Sequence, residues 1–511
     1  MRIEDDQASP TNQPQPDNAH RLAAGPSQAA AWLRRVGPIV LLAVVCLGLA
    51  VRIRQYCALP SFWYDEAYLL VNVFDKTYVE LSGPLRCDQA APPLFLWSLR
   101  WLYVWAGPYE WAMRLPAFLA SLVALFVFIP LARKVAGQPG WLWAVGFCAL
   151  SNHAVSHAVE VKPYAFDLLM STILLLAASG MLTAEPRSAT WRRCWAGLLG
   201  GALLGPWLSY PSVFVLGGAS LALAVDAWSR KNRFTWLAWV SLNVTVLLSA
   251  AAVWYITARH QRTDSLEVYW RSAFIDLSSA GGALMWVVKY LVKVGNYGTT
   301  GLGIPLALLG LGGLIGLWQQ SRALVSLLVG PLVIALVANG LRLYPLDDRL
   351  LFFAAPCLWL SAAVGVSGIL GRLRGRSAWL GVIVLAALLL PGGISFAKHL
   401  VVVKPKAEFR DAFDFVLREE IPGDLWWVSH PEVAEVYFVA GRPCLSSYQP
   451  PQAVAEAARG NRLWMVACLP ENGPVLQPEL VQHLEAVGLR MQSRKDLRTV
   501  VVFLYAPALQ P

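Results

Sequence analysis

Long apolar runs separated by short polar segments fill most of the chain between residues 36 and 397. A run of about 20 apolar residues is long enough to cross the hydrocarbon core of a bilayer, so the pattern predicts about 11 transmembrane helices. The predicted spans are residues 36–51, 115–132, 139–156, 163–182, 194–209, 211–227, 235–257, 300–318, 323–341, 350–370 and 377–397. The predicted fold class is therefore an all-α polytopic membrane bundle over residues 34–397, accompanied by juxtamembrane helices.

One apolar segment, residues 92–107, differs from the others. It is short, begins with Pro92 and Pro93, and carries Arg100 near its middle. An ionisable side chain at the centre of a lipid-facing helix is costly, and a further crossing would disturb the alternation of basic loops. We therefore predict a juxtamembrane or re-entrant helix that does not cross the membrane.

The pattern changes near Lys398, where charged residues become frequent and apolar runs become short. Residues 408–420 have the spacing of an amphipathic helix. Strands are predicted at residues 424–430, 462–469 and 497–506, with further helices between them. Because alternating helices and strands are typical of an α/β domain, residues 398–511 are predicted to form a small C-terminal α/β domain.

Composition agrees with a membrane protein, because 57% of the residues are hydrophobic and only 14% are charged, against about 25% in soluble domains. A net charge of +10 could indicate nucleic-acid binding. However, Lys and Arg are concentrated in short loops between apolar runs, as in the cytosolic loops of membrane proteins, and this disfavours a nucleic-acid partner. The basic loops place the polar residues 1–33 in the cytosol as a disordered tail and the C-terminal domain outside it, with the bundle in the cell membrane.

This orientation gathers four polar loops on the extracytoplasmic face, at residues 54–91, 157–164, 258–299 and 342–349. The first loop contains "SFWYDEAYLL", in which Asp65 and Glu66 are adjacent and flanked by aromatic residues at the membrane boundary. A carboxylate beside apolar walls can act as a general base. The alternative is a solvated loop carboxylate or a helix N-cap.

The remaining outer loops supply candidate substrate-binding residues, and each has a structural alternative. They are Glu160, Lys162, Tyr164, Arg342, Tyr344 and Arg349. The arginine side chains offer a planar fork of donors that suits phosphate oxygens, although an Asp–Arg salt bridge within the loop would use the same residues. Lys162 and Tyr164 could instead anchor a helix end at the interface.

Two histidines, His153 and His157, have the i, i+4 spacing of a pair of metal ligands on one helix face. No third ligand is evident in the sequence, so hydrogen-bonded interfacial histidines are the favoured interpretation. The cofactor is therefore left undetermined, with a divalent cation as one alternative.

The order of the outer-loop motifs resembles that of the GT-C glycosyltransferases, in particular the bacterial branch related to aminoarabinose transferases and protein O-mannosyltransferases. The motifs, which extend over about residues 37–360, are "LPSFWYDEAYLL", "APPLFLW", "GPYEWAMRLPAFLASL", "SHAVEVKPYAF" and "YPLDDRLLFFAAP". The resemblance implies a polyprenyl-phosphate-linked sugar donor and transfer on the extracytoplasmic side. It also places the acidic motif of the family on Asp65 and Glu66.

By the same resemblance, the family position that holds an Arg-Pro-Tyr motif or an Asp falls near Glu160, Lys162 and Tyr164. The arginine that precedes a late membrane span in the family falls on Arg349. Two departures from the family pattern concern the donor phosphate. Relatives often have His or Lys directly before the Pro-Pro pair, where this chain has Ala91. The donor-phosphate contact expected from that position must therefore be made by another residue, for example Arg86, or be absent. Lys162 stands where many relatives have Arg, which removes a bidentate donor.

The sequence therefore predicts an integral-membrane glycosyltransferase that moves a sugar from a polyprenyl-phosphate donor to an extracytoplasmic lipid, glycan or protein acceptor. Asp65 is the predicted general base, which implies inversion at the anomeric carbon. Glu66 is predicted to orient the acceptor or to help bind a divalent ion, and the donor phosphate is assigned to Lys162 and Arg349. The alternatives are a transporter or flippase of polyprenyl-linked sugars and an inactive relative that acts as a binding protein.

Overall fold

A helical bundle and a smaller sheet-containing region make up the computed structural model. It describes residues 28–299, 302–373, 375–402, 406–438, 444–469 and 474–508. Most of the predicted tail lies outside the described residues, and the first helix begins at Gln28, earlier than the predicted boundary at residue 34.

The bundle consists of helices in chain order. They are α1 (Gln28–Cys57), α2 (Tyr64–Asp75), α3 (Pro93–Ala106), α4 (Glu110–Ala136), α5 (Trp141–Leu150), α6 (Asn152–Ser156), α7 (Tyr164–Thr183), α8 (Ala189–Leu208), α9 (Ser212–Arg230), α10 (Arg233–Ile256), α11 (Asp264–Tyr269), α12 (Ala280–Thr299), α13 (Gly303–Trp318), α14 (Arg322–Gly340), α15 (Ala355–Arg372), α16 (Gly375–Ala387) and α17 (Leu390–Val401). Short 3-10 helices lie at Glu80–Ser82, Arg86–Asp88, His157–Val159, Ala258–His260, Arg271–Ala273 and Asp348–Ala354.

Seven helical segments of the described residues are long and apolar enough to cross a membrane, as expected for an integral membrane protein. They are Arg35–Cys57, Glu110–Ala136, Tyr164–Thr183, Ser212–Arg230, Arg233–His260, Arg322–Gly340 and Asp348–Arg372. Three shorter apolar helices accompany them, and two predicted spans are interrupted: residues 139–156 at Ser151, and residues 377–397 between α16 and α17. The count of 11 crossings therefore stays a prediction.

Small residues allow α13 and α15 to approach closely. A Cβ atom added at Gly313 would lie 2.2 Å from the carbonyl oxygen of Ser361, and one added at Gly365 would lie 2.2 Å from that of Leu309. Both distances are too short for any side chain, and small residues are the usual means of bringing helix backbones together in membranes. Helix α15 is thereby fixed next to α13, and α15 continues the segment that carries Arg349.

Helix α3 corresponds to the segment predicted not to cross. With 14 residues it is about 21 Å long, less than the hydrocarbon thickness of about 30 Å. The Arg100 guanidinium donates to the carbonyl oxygens of Val73 at 2.8 Å and Phe74 at 2.7 Å, at the end of α2. This contact satisfies the charge within the protein and favours the juxtamembrane assignment, which stays a prediction.

The C-terminal region has the predicted α/β composition. Its elements are α18 (Phe409–Glu419), β1 (Leu425–Val428), α19 (Pro431–Tyr437), β2 (Leu445–Ser446), α20 (Pro451–Ala458), β3 (Leu463–Cys468), α21 (Pro478–Ala486), β4 (Leu489–Asp496) and β5 (Val500–Pro507). The five strands are ordered β2-β1-β3-β5-β4. Strand β1 pairs in parallel with β2 and β3, whereas β5 is antiparallel to β3 and β4. The prediction included β1, β3 and β5 and missed the two edge strands.

An apolar cluster joins this sheet-containing region to the bundle. Phe62 and Leu70, from the loop before α2 and from α2 itself, are buried in one cluster with Phe409, Phe413 and Val433. The backbone N–H of Phe62 donates to the Tyr437 hydroxyl at 2.7 Å. The C-terminal region therefore packs directly on the segment that carries Asp65.

Candidate active site

The first turn of α2 carries the two adjacent acids. Trp63 has the extended backbone of an N-cap residue, and Asp65 and Glu66 follow inside the helix. Negative charge is favourable there because the unpaired backbone N–H groups make a helix N-terminus electropositive. Successive residues of a helix point about 100° apart, so the two carboxylates face different surroundings.

Asp65 is held between two cations that come from distant parts of the chain. Its Oδ1 lies 3.0 Å from Lys162 Nζ, and its Oδ2 lies 2.6 Å from Arg349 Nη1. The Asp65 side chain is only 16% exposed. Burial by itself would raise the pKa of this carboxyl, but Lys162 and Arg349 outweigh burial and lower the pKa below its ordinary value. Asp65 is therefore a carboxylate at neutral pH and able to accept a proton.

Lys162 has a second partner that the sequence did not reveal. Its Nζ donates to Gln89 Oε1 at 2.6 Å, and Gln89 belongs to the polar "DQ" that precedes the Pro-Pro pair. Ala91, the position of a departure from the family pattern, uses its backbone N–H to donate to Gln261 Oε1 at 3.0 Å. The segment before α3 thus reaches the site through Gln89.

Arg86 lies away from this group. Its guanidinium pairs with Asp75 at 2.9 Å and with Glu435 at 3.0 Å, so it links α2 to α19. The suggestion that Arg86 supplies a donor-phosphate contact is therefore not supported by its position.

Glu66 has a closed environment. Its carboxylate pairs with Arg114 Nη2 at 2.7 Å and accepts from the backbone N–H of Val161 at 2.8 Å. The side chains of Glu66 and Arg114 are 1% and 2% exposed, and Arg114 also donates to the carbonyl oxygens of Pro60 and Ser61. The geometry thus favours a positioning role, in which Glu66 fixes the loop before α2, over the predicted contact with an acceptor or a divalent ion.

Glu160 belongs to a second buried group beside Asp65. Its carboxylate lies 2.7 Å from His157 Nδ1 and 2.8 Å from Lys406 Nζ, and the other ring nitrogen of His157 lies 2.6 Å from the Tyr297 hydroxyl. Burial would raise the pKa of Glu160, but Lys406 and His157 outweigh burial and lower it. Burial also lowers the pKa of His157. Glu160 is therefore ionised and held by protein groups.

Lys406 is a member of this group that sequence analysis missed. Its Nζ lies 4.3 Å from the centroid of the Trp63 ring, within the range of a cation–π contact. The carbonyl oxygen of the next residue, Ala407, accepts from the Ser61 hydroxyl at 2.5 Å. No local motif marks Lys406, because its partners lie hundreds of residues away in the chain.

The other candidates divide into near and distant residues. Tyr164 is buried with its ring centroid 4.6 Å from that of His157, so it borders the Glu160 group. Tyr344 packs against Phe214, and its hydroxyl donates to the carbonyl oxygen of Leu350. Arg342 lines a separate cavity. Among the hydrogen bonds and ion pairs of the described residues, neither Tyr344 nor Arg342 joins the Asp65 group, so their predicted substrate contacts find no support in the geometry.

A metal ion would need ligands that these groups do not offer. Within the ranges that the structure describes, no three His, Cys, Asp or Glu side chains are arranged to hold one. Both ring nitrogens of His157 are engaged, and the His153 ring stacks on Tyr297 at 3.7 Å between centroids. The two histidines are therefore engaged with protein groups and do not fit a metal-binding pair.

Sequence comparisons give no relative of this chain: no family model matches it, and no curated protein matches it. Comparison with solved structures does. ArnT from Cupriavidus metallidurans in the apo state has a TM-score of 0.54 at 13% identity, and the match covers 93% of this chain and 98% of ArnT.

Two further structures are less similar. ArnT from Cupriavidus metallidurans bound to undecaprenyl phosphate has a TM-score of 0.49 at 13% identity over 92% of this chain and 98% of ArnT. The oligosaccharyltransferase AglB from Archaeoglobus fulgidus, in complex with an inhibitory peptide and a dolichol-phosphate, has a TM-score of 0.48 at 12% identity over 85% of this chain and 70% of AglB. The apo ArnT match confirms the fold that the motif order implies: over nearly its whole length, the chain has an ArnT-like fold.

Proposed function

We propose that this protein is a membrane glycosyltransferase that moves a sugar from a polyprenyl-phosphate donor to a hydroxyl group of an extracytoplasmic lipid, glycan or protein acceptor. The observation that carries the proposal is the ion-pair group of Asp65, Lys162 and Arg349 in an ArnT-like fold. It combines a proton acceptor with cations that suit a phosphate.

Asp65 is the proposed general base. It takes the proton from the acceptor hydroxyl while the acceptor oxygen forms a bond to the anomeric carbon of the donor sugar. The bond between that carbon and the phosphate oxygen breaks, polyprenyl phosphate leaves, and the configuration at the anomeric carbon inverts. A positioned base of this kind typically contributes about 10²- to 10⁴-fold to the rate.

Lys162 and Arg349 are the proposed donor-phosphate ligands. ArnT binds undecaprenyl phosphate, a polyprenyl phosphate of the proposed donor class. A donor phosphate would compete with Asp65 for both cations, because phosphate oxygens accept the same charge-assisted hydrogen bonds. Losing those contacts would raise the pKa of Asp65 and make it a stronger base. Donor binding would thereby activate the base.

The proposed function also requires an orientation of the protein in the membrane. The site lies at one end of the bundle, formed by the loops of residues 54–91, 157–164 and 342–349, with the C-terminal region packed on α2. Following the basic-loop distribution, we assign this end and residues 398–511 to the extracytoplasmic side of the cell membrane, residues 1–33 to the cytosol, and residues 34–397 to the catalytic membrane domain.

The experiment is a transfer assay with purified protein in liposomes. Undecaprenyl phosphate carrying radiolabelled pentoses or hexoses is supplied with membrane lipid, glycan and protein acceptors, and products are separated by chromatography. The expected result is label in a new product together with free undecaprenyl phosphate, and loss of both with Asp65→Asn.

The same assay separates the rival functions. A flippase would redistribute the labelled donor across the bilayer without making a new product, and an inactive relative would leave the donor unchanged. Either outcome across the donor panel would contradict the proposal. Undiminished transfer by correctly inserted Asp65→Asn protein would contradict the assignment of the base.

A further inference from the structure

A charged cavity at the loop that follows α10 shares no lining residue with the Asp65 group. Its volume is about 200 Å³. Three guanidinium groups, from Arg262, Arg271 and Arg342, line it together with the apolar side chains of Val268 and Phe274. Arginine is the side chain best suited to bind phosphate oxygens, because its planar fork presents several donors at once.

The acidic residues of the cavity leave part of this positive charge uncompensated. Glu267 pairs with Arg262 at 2.5 Å, whereas Asp264 lines the cavity as a second carboxylate. Among the described residues, no hydrogen bond or ion pair of the Arg271 or Arg342 guanidinium is present, although the exposed Asp276 lies close enough to Arg342 to feel its charge. Two arginine forks are thus free to take an anion.

The cavity walls are held in place by the end of α14. Asn339 donates to the carbonyl oxygen of Ala273 at 2.9 Å and accepts from the backbone N–H of Ile275 at 2.8 Å. Arg262 donates to the carbonyl oxygen of Arg342 at 3.3 Å, which links the two sides. The backbone that carries Arg271 and Arg342 is therefore held in place by contacts within the fold.

The position of the cavity indicates a lipid ligand. Two candidate membrane spans, Arg233–His260 and Arg322–Gly340, end beside it. The residues flanking the arginines include exposed apolar side chains, among them Tyr269 at 68% and Leu341 at 65%. Where a span ends, lipid headgroups lie at the level of the interface, and apolar side chains there contact the upper acyl chains.

We propose that this cavity binds the phosphate of an anionic lipid headgroup, with Arg271 and Arg342 as its principal ligands and Arg262 as a third. The site shares no residue with the proposed transfer centre, and its occupancy does not depend on the transfer reaction. Arg342 would then bind a phosphate, as the sequence predicts, but in this cavity and not beside Asp65.

The experiment counts bound lipids by native mass spectrometry of the full-length protein. The probes are phosphatidylglycerol, which carries the phosphate, and diacylglycerol, which lacks it. Combined Arg271→Ala and Arg342→Ala substitutions are expected to weaken phosphatidylglycerol binding about 10-fold or more, because they remove two donors of charge-assisted hydrogen bonds to the phosphate. Diacylglycerol binding is expected to be weak and unchanged.

The matched control is Arg259→Ala, which removes a cation from the same loop. Arg259 stacks on Tyr255 and does not line the cavity. Equal weakening by Arg259→Ala, unchanged binding in the double variant, or equal affinity for diacylglycerol would each overturn the proposal. Competition with inorganic phosphate identifies the source of the anion: displacement of the lipid at similar concentration overturns the lipid assignment, and its failure supports it.

Discussion

Asp65 and Glu66 are consecutive residues in the first turn of α2, and each pairs with an arginine from a distant segment, but their environments differ. Glu66 and Arg114 are almost completely buried, and backbone groups complete their hydrogen bonds. Asp65 has two cationic partners, and one of them, Arg349, keeps 32% of its side chain exposed. One carboxylate is enclosed by protein, and the other remains within reach of a ligand.

The difference separates structural from chemical use of the same residue type. A buried pair is costly to break because the remaining charge is left without a partner, so Glu66 stabilises the loop. Asp65 is one carboxylate between two cations, Lys162 and Arg349. One positive charge is therefore left to bind a second anion. Proximity in sequence therefore does not predict similarity of role.

The largest expected effect on activity is that of Asp65→Asn. The substitution keeps the shape of the side chain and removes the proton acceptor, so transfer should fall about 10²- to 10⁴-fold while the protein stays folded. Initial rates of transfer and a thermal unfolding curve measure both properties. Asp75→Asn is the matched control, since Asp75 lies at the other end of α2 and pairs with Arg86 at the surface; a similar loss there would contradict a specific role for Asp65.

Glu66→Gln should instead lower the stability of the folded protein. Removing the charge leaves Arg114 buried and uncompensated, which typically costs about 3–5 kcal/mol of stability. Thermal or denaturant unfolding in detergent measures this loss. Adding Arg114→Met to Glu66→Leu should recover much of the stability, because an apolar pair replaces the ion pair; a variant with wild-type stability and no activity would instead indicate that Glu66 contacts the substrate.

Arg349→Lys tests whether Arg349 binds the donor phosphate. Lysine keeps the charge but loses the planar fork, so donor affinity should fall about 10-fold, corresponding to one charge-assisted hydrogen bond of about 1.5 kcal/mol. Undecaprenyl phosphate binding and the donor KM are the measurements. Arg86→Lys serves as the control, because Arg86 pairs with Asp75 and Glu435 away from the Asp65 group: donor binding should be unchanged, and an equal loss would place Arg86 in the donor site.

Lys406→Met should have the smallest effect, below about 1 kcal/mol, because the lysine is partly exposed and solvent screens its charge. In the folded protein the pKa of Glu160 is lowered from its ordinary value of 4.5, so the pairing stabilises the protein above that pH. The stabilisation is lost as the pH falls further, towards the folded pKa. The difference in melting temperature between wild type and variant should therefore shrink below pH 4.5; a constant difference would indicate a packing effect.

Much of the fold follows from local patterns. Apolar runs identified most long helices, and alternation after Lys398 identified α18, β1, β3 and β5. Strand β4 was missed because seven of its eight residues, Arg490–Asp496, are exposed and show no alternation of burial. The break at Ser151 was missed because the hydrophobicity of a run does not reveal where its helix ends, although Ser151 does cap α6 by accepting from the Ala154 N–H.

The site was predictable only where a motif marks it. The motif order identified Asp65, Lys162 and Arg349, which the fold brings together. Gln89 and Lys406 lie in segments of ordinary composition, and their contacts arise from packing between distant elements. Arg342 lies seven positions before Arg349, and a sequence does not show that one guanidinium reaches Asp65 while the other lines a different cavity.

Chain order has a consequence for how the protein matures. Asp65 is synthesised early, but Arg349 follows it by 284 residues, and Tyr437, whose hydroxyl accepts from the Phe62 N–H, follows Phe62 by 375 residues. A nascent chain on the ribosome thus holds Asp65 with Lys162 but without its second cationic partner until Arg349 has been synthesised. Completion of the last region finishes the centre, so a prematurely terminated product should be inert.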